Sequence, residues 1–222
     1  TAWQVLTFCE PHQLLSVWAS GRDDVWAVGA GGTVLRFDGC TWTRPDPGTD
    51  ADLWWVFGVD DAVYMSGAAG TFIKWTGAGG FQRMDVGSAV TLFGLWGTAG
   101  DDLWTVGFDP KAEGGTSVLL RWDGTAWTSA AGLPEVAAAA DLFKVWGDAT
   151  SVWVVGRDDL IARFSGDVWE TLPTGLGQDW VTVSGSAGGL AVVGGTSAGM
   201  VVEQDAGGVW TSRGPEFISP LQ

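Results

Sequence analysis

One phrase recurs five times along this chain and limits what it can fold into. An apolar-aromatic-x-Val-Gly run closes at Gly29, Gly107 and Gly156, and variants of it close at Gly67, as Tyr-Met-Ser-Gly, and at Gly194. Self-similarity at a spacing of about 40 residues marks propellers and solenoids, in which one supersecondary unit is copied. The unit is legible in its first copy, Leu14 to Trp42, as four runs: LLSVW, VWAVG, TVLRF and a run centred on Trp42. Each is short, rich in Val, Leu, Trp and Phe, and bounded by Gly, Asp or Ser, which is strand grammar. Asp38-Gly39 before the last run suits a tight hairpin, because both residues tolerate positive φ. The unit is therefore a four-stranded antiparallel meander.

The copies run approximately over 14–43, 53–83, 92–128, 142–170 and 180–211 and form one domain spanning 1–222. Five meanders either stack in a line or close into a ring; closure removes exposed sheet edges and needs no capping segments. The expected fold is all-β, a five-bladed β-propeller closed by pairing of the N- and C-terminal segments. Thr1-Ala2-Trp3-Gln4 repeats the fourth-strand text Thr125-Ala126-Trp127-Thr128. Either Trp3 supplies an outer strand to the last blade, with 1–9 as the closing strand, or Trp210 does and the N-terminal run adds alongside it. The only cysteines, Cys9 after that run and Cys40 in the turn before Trp42, suit a disulfide between closing segment and first blade. The other reading is two free thiols.

Composition narrows the partners. Glycine (35 residues) disfavours long helices, and 26 Asp plus Glu against 11 Lys plus Arg give a formal charge of −15. That charge repels phosphate backbones and anionic headgroups, so nucleic acid is not an expected partner. No apolar run approaches the roughly 20 residues that span a bilayer, so no membrane insertion is expected either. The chain begins at Thr1 without Met, as after removal of a leader or as an excised piece.

Aligned with one another, the five copies separate scaffold from departures. Trp18, Trp96 and Trp146, then Trp26, Trp104 and Trp153, then Trp42, Trp127, Trp169 and Trp210 recur in register and belong to packing between blades. Asp23-Asp24, Asp60-Asp61 and Asp101-Asp102 precede second strands and face a recurring base, Arg36, Lys74, Arg121 or Arg163. This is a repeated turn and ion pair; Ca²⁺ needs six to eight converging oxygens that a two-residue turn does not supply. One first-strand column reads Ser16, Trp55, Gly94, Lys144, Thr182, and it faces the axis if first strands are innermost. There Trp55 either stacks on a sugar or plugs a void. The loop between second and third strands is lengthened in the third copy, with Asp109, Lys111 and Glu113, and is Arg157-Asp158-Asp159 in the fourth. These loops share a face with the long connections between blades, and function on rigid scaffolds is usually carried by such loops. Candidate ligand-binding residues are therefore Trp55, Lys144, Asp109, Lys111, Glu113, Arg157, Asp158 and Asp159, with no catalytic residue, metal or cofactor assigned.

The text DDVWAVGAGGTVLRFDGCTW and DDLWTVGFDPKAEGGTSVLLRWDGTAW resembles the Trp-rich BNR-like propeller repeats of secreted and surface bacterial proteins, over nearly all of Leu14 to Thr211. FDGCTW and WDGTAW resemble a degenerate Asp-box turn, shortened by the residue between Asp and Gly. The resemblance implies a propeller outside the cytoplasm, extracellular, periplasmic or at the cell surface. It implies no activity, because Asp-boxes are structural turns.

The single His12 leaves no His cluster for zinc, and no spacing recommends a Ser-His-Asp triad. The single Tyr64 occupies a structural aromatic column, which disfavours sialidase-like chemistry. A non-catalytic, monomeric binding module is the favoured reading, for a protein or a glycan ligand. Glycans would sit in repeated interblade grooves, as in five-bladed tachylectin-type lectins, which the chain resembles in architecture. A protein partner would take one site on the irregular loop face. The alternative is a five-bladed glycoside hydrolase with a carboxylate pair at the channel mouth.

Overall fold

The computed structural model describes residues 12–111, 117–186, 189–196, 199–205 and 207–213. The meanders fold as expected into five four-stranded antiparallel sheets, each pairing its strands in chain order. Blade one is β1 (Leu14–Gly21), β2 (Asp24–Gly29), β3 (Thr33–Phe37) and β4 (Trp42–Thr43); blade two is β5 (Leu53–Val59), β6 (Ala62–Gly67), β7 (Phe72–Trp75) and β8 (Phe81–Arg83). Blade three is β9 (Thr91–Ala99), β10 (Asp102–Phe108), β11 (Val118–Trp122) and β12 (Trp127–Ser129). Blade four is β13 (Leu142–Gly147), β14 (Val152–Gly156), β15 (Ile161–Ser165) and β16 (Val168–Thr171), preceded by a short helix α1 (Glu135–Ala139). Blade five is β17 (Trp180–Ser186), β18 (Gly189–Gly194), β19 (Met200–Gln204) and β20 (Trp210–Ser212).

The first strands are innermost and pack side by side in the order β1, β5, β9, β13, β17. Four apolar clusters lie between the sheets, one per junction, from Trp26 with Val56 at the first to Trp153 with Val183 at the last. The recurring tryptophans are the wedges of these junctions. At roughly 25 cal/mol per Å², a buried indole of about 200 Å² contributes on the order of 5 kcal/mol before ordering entropy is set against it. Each wedge needs a gap in the next blade. Trp18 lies so close over Gly58 that a Cβ there would fall 2.1 Å from the ring, and Trp96 over Gly147 and Trp146 over Gly185 repeat the arrangement at 2.6 and 2.5 Å.

Second-strand aromatics and third-strand cations are cross-strand partners: Trp26 with Arg36, Tyr64 with Lys74, Trp104 with Arg121, Trp153 with Arg163. Each cation stacks over its aromatic, 5.0 to 5.6 Å from the ring centre, and Arg36 also sits 4.5 Å from Trp75 of the next blade. The expected Asp partners are present in blades one and three, as Arg36–Asp24 at 3.2 Å and Arg121–Asp102 at 2.9 Å. Blade four supplies the anion from its outer strand, Glu170 to Arg163, and blade five inverts the pair, Arg213 to Glu203 at 2.7 Å. The Asp-box-like turns fold as Asx turns: Asp38 accepts from the N–H groups of Cys40 and Thr41, and Asp123 from those of Thr125 and Ala126. The Asp123 carboxyl is lowered to about 2, first by the Thr125 hydroxyl and then by these N–H groups.

Among the described residues no hydrogen bond joins the first and fifth sheets, and β17 and β1 show no packing comparable to the four junctions. Residues 1–9 and Cys9 lie outside the described residues; Cys40 is an exposed thiol in the β3–β4 turn.

Candidate functional site

The face carrying the β2–β3-type turns is tied to the connections between blades by backbone bonds such as Gly32 N–H to Ala51, Gly70 N–H to Val90 and Asp159 N–H to Gln178. First strands start at this face, and all five carry the same defect there. Their register slips by one residue opposite the second strand, between Leu14 and Ser16, Leu53 and Trp55, Leu92 and Gly94, Leu142 and Lys144, and Trp180 and Thr182. A bulge leaves one residue unpaired and re-aims its side chain. The bulged column is Leu15, Trp54, Phe93, Phe143 and Val181.

Three adjacent blades fill that column with aromatics, and their rings meet. Trp54 lies 5.1 Å from Phe93, Phe93 4.8 Å from Phe108 at the end of β10, and Phe108 5.4 Å from Phe143. Phe108 is buried, whereas Trp54, Phe93 and Phe143 are partly exposed. The Arg157 guanidinium closes the arc, 6.0 Å from the Phe143 ring. Sequence reasoning missed Trp54, Phe93 and Phe143. Strict strand alternation counts them with the wall, and only a bulge in every blade turns them to the mouth; the aromatic run in that column was the available signal.

Beneath the arc, the column Ser16, Trp55, Gly94, Lys144, Thr182 brings two expected site residues together. The Lys144 ammonium lies 2.7 Å from the centre of the Trp55 ring, crossing the intervening strand at Gly94. A side chain at Gly94 would close that passage, since its Cβ would stand 3.0 Å from both Lys144 and Val106. Lys144 is only 5% exposed, and burial pushes its ammonium well below its usual 10.5. Trp55 therefore has one face covered from within the protein.

The other expected residues separate from this pair. Arg157 bridges Asp141 at 2.5 Å and Asp179 at 3.8 Å, the residues that lead into β13 and β17. Asp158, at φ 58°, donates its N–H to Asp179. Asp159 is buried and engaged within the protein: it accepts from the Thr174 hydroxyl at 2.6 Å, the Trp180 indole at 2.8 Å and the Gly175 N–H at 2.8 Å. Burial raises its carboxyl, but these bonds outweigh burial and hold it below the usual carboxylate range. Asp109 accepts from the N–H of Lys111, which is exposed at the tip of the third-blade loop; Glu113 lies outside the described residues. Among the described residues no three His, Cys, Asp or Glu side chains converge as a metal site would require.

No family model matches this sequence, and no curated protein matches it. Solved structures do. YCF48 bound to D1 peptide superposes with a TM-score of 0.66 at 15% identity, over 94% of this chain and 69% of that one. YCF48 from Cyanidioschyzon merolae gives 0.66 at 14% identity, over 99% of this chain and 74% of that one. The computationally designed Ika8 protein gives 0.66 at 14%, over 96% and 66%. At these identities the likeness is one of fold, the β-propeller.

Proposed function

We propose that this propeller is a non-catalytic binding module that holds an extended, apolar segment of a partner protein across the channel mouth. The observation that carries the reading is the partly exposed arc of Trp54, Phe93 and Phe143, backed by buried Phe108 and ended by Arg157. Flat aromatics fixed on rigid strands bind apolar groups at low entropic cost, and such anchors dominate recognition energies. The surrounding acidic charge favours a partner with basic flanks. A similar propeller, YCF48, is described as bound to a D1 peptide, a precedent for peptide capture on this scaffold.

The glycan reading draws less support. Stacking on sugars at the interblade grooves needs exposed indole faces, and Trp104 and Trp153 are 3% and 6% exposed beneath their cations. The hydrolase alternative needs two carboxylates with opposed roles. Asp141 and Asp179, on the loop face beside the mouth, are instead held by Arg157. A location outside the cytoplasm belongs to the same proposal and rests on the repeat resemblance alone.

Selection of a random peptide library against the protein, run beside a glycan array, tests the reading. Enriched aromatic or aliphatic peptides with Lys or Arg flanks, lost with Phe143→Ala, are expected. Saturable binding of several sugar equivalents with no peptide enrichment would overturn it.

A further inference from the structure

Four junctions hold the five blades together, and all share one construction. The outward flank of each blade supplies a wedge aromatic, a second-strand aromatic and a third-strand cation, and the inward flank of the next supplies apolar residues that cover them. The two end flanks break this pattern in different ways.

Blade one has a conventional inward flank, and among the described residues little lies over it. The column Val56, Leu95, Val145, Val183 is 1%, 1%, 0% and 2% exposed, whereas its first-blade member, Val17, is 67% exposed. Leu14 is 40% exposed where Leu53, Leu92, Leu142 and Trp180 are wholly buried. A solvent-facing terminal repeat normally replaces such positions with polar residues. Blade one has kept them apolar.

Blade five fails on its outward side. Ser184, Ala191 and Glu203 stand where the other blades place wedge, aromatic and cation, and Ala191 and Glu203 remain cross-strand partners. Their loss opens a groove of about 580 Å³ lined by Ser184, Ser186, Ala191, Glu203 and Arg213. Against blade one, this flank would set Glu203 where the first junction sets Arg36 over Trp75. The counterpart of Trp75 in blade one is Phe37. Glu203 is held by Arg213 at 2.7 Å, and with Ala191 as its cross-strand partner this flank has no aromatic-and-cation stack of the kind the four junctions share.

We propose that the five blades are an arc of a larger ring, and that the Leu14–Val17 flank docks a further blade of this repeat carrying a second-strand aromatic and a third-strand cation. Its wedge residue is narrower than an indole, because Ala19 carries the Cβ that Gly58, Gly147 and Gly185 lack. The lengths of similar propellers leave room for it: 94 to 99% of this chain occupies only 66 to 74% of theirs.

The experiment begins on the full 222-residue chain. Spin labels at Ala19→Cys and Ser184→Cys, with Cys9→Ser and Cys40→Ser, report whether β17 lies beside β1. The arc gives a spectrum free of the dipolar broadening of adjacent strands; strong broadening means that blade five closes the ring directly, and overturns the proposal. Hydroxyl-radical footprinting then reads Val17. In the unextended chain Val17 labels freely at every concentration; protection that grows with concentration would mean a second copy covers the flank, protection at every concentration would mean the chain's own end segments cover it, and either would overturn it. With a copy of residues 142–179 bearing Trp146→Ser fused ahead of Gln13 in place of residues 1–12, labelling drops by roughly tenfold, as on passing from open to packed structure. The same graft with Trp153→Ala and Arg163→Glu leaves Val17 labelled; equal protection by both grafts would overturn the assigned chemistry.

Discussion

Gly58→Ala is the smallest change that interrogates the junctions. The three atoms nearest a Cβ at this position all belong to the Trp18 ring, at 2.1, 2.3 and 2.6 Å. Gly58 lies in β5 outside the positive-φ region, so alanine meets no backbone objection. The cost is then one of overpacking, about 1–3 kcal/mol, reduced by about 0.4–1 kcal/mol because alanine restricts the unfolded chain. A net loss of about 1–2 kcal/mol lowers Tm by about 2–8 °C for a domain of this size. The decisive comparison is with Trp18→Ala. Once the indole is gone the methyl has space, and Gly58→Ala becomes neutral or stabilising by up to about 1 kcal/mol, a coupling of about 1–3 kcal/mol. Urea unfolding of wild type, both single variants and the double variant measures it. Equal losses in the two backgrounds would refute the wedge-and-gap account.

Three further predictions concern charge. The Lys144 ammonium is lowered in the folded state, so between that lowered value and 10.5 the unfolded chain holds more protons and stability rises with pH. Lys144→Met is therefore expected to stabilise the protein below that window, with the gain shrinking as pH approaches 10.5 in melts across pH. Asp159 is lowered as well, but in a carboxyl this favours the charged folded form: its contribution is complete above 3.8 and is lost as pH falls through the lowered folded value. Asp159→Asn should cost about 2–3 kcal/mol at neutral pH and flatten the acid limb of a stability–pH curve. Arg36→Ala, which removes the guanidinium stacked against both Trp26 and Trp75, should cost about 1–2 kcal/mol, while Arg213→Ala, a mostly exposed pair, should stay within about 0.5 kcal/mol in denaturant titrations.

The blades were legible because each is built from local signals, two-residue periodicity and a glycine at the end of the second strand, joined in blades one and three by Asp-Gly turns. Repetition also acts as an internal alignment, and Trp104 and Trp153 are buried as their recurrence in register implies. The Asp24–Arg36 pair was legible for the same reason. Blade four was not, since Glu170 replaces the missing Asp from another strand, an exchange that only cross-strand register reveals. Asp159 read as a loop charge; its burial depends on Thr174 and Trp180, which the chain brings back only through the following connection. The aromatic arc was hidden by the bulge, because one inserted residue reverses the facing of a strand. Charge likewise could not say that Lys144 would cross Gly94 to reach Trp55.

The central claim is that the recurring aromatics are scaffold and that binding resides in the bulged column. Trp54→Ala and Trp104→Ala, each measured for urea midpoint and for affinity toward a selected peptide, test it most directly. Trp54→Ala should keep a near-wild-type midpoint and weaken binding at least about tenfold, an anchor's share of 1.4 kcal/mol or more, roughly. Trp104→Ala should lose about 3–5 kcal/mol of stability and, where still folded, keep its affinity. The reverse pattern, with stability lost at Trp54 and binding lost at Trp104, would contradict the account.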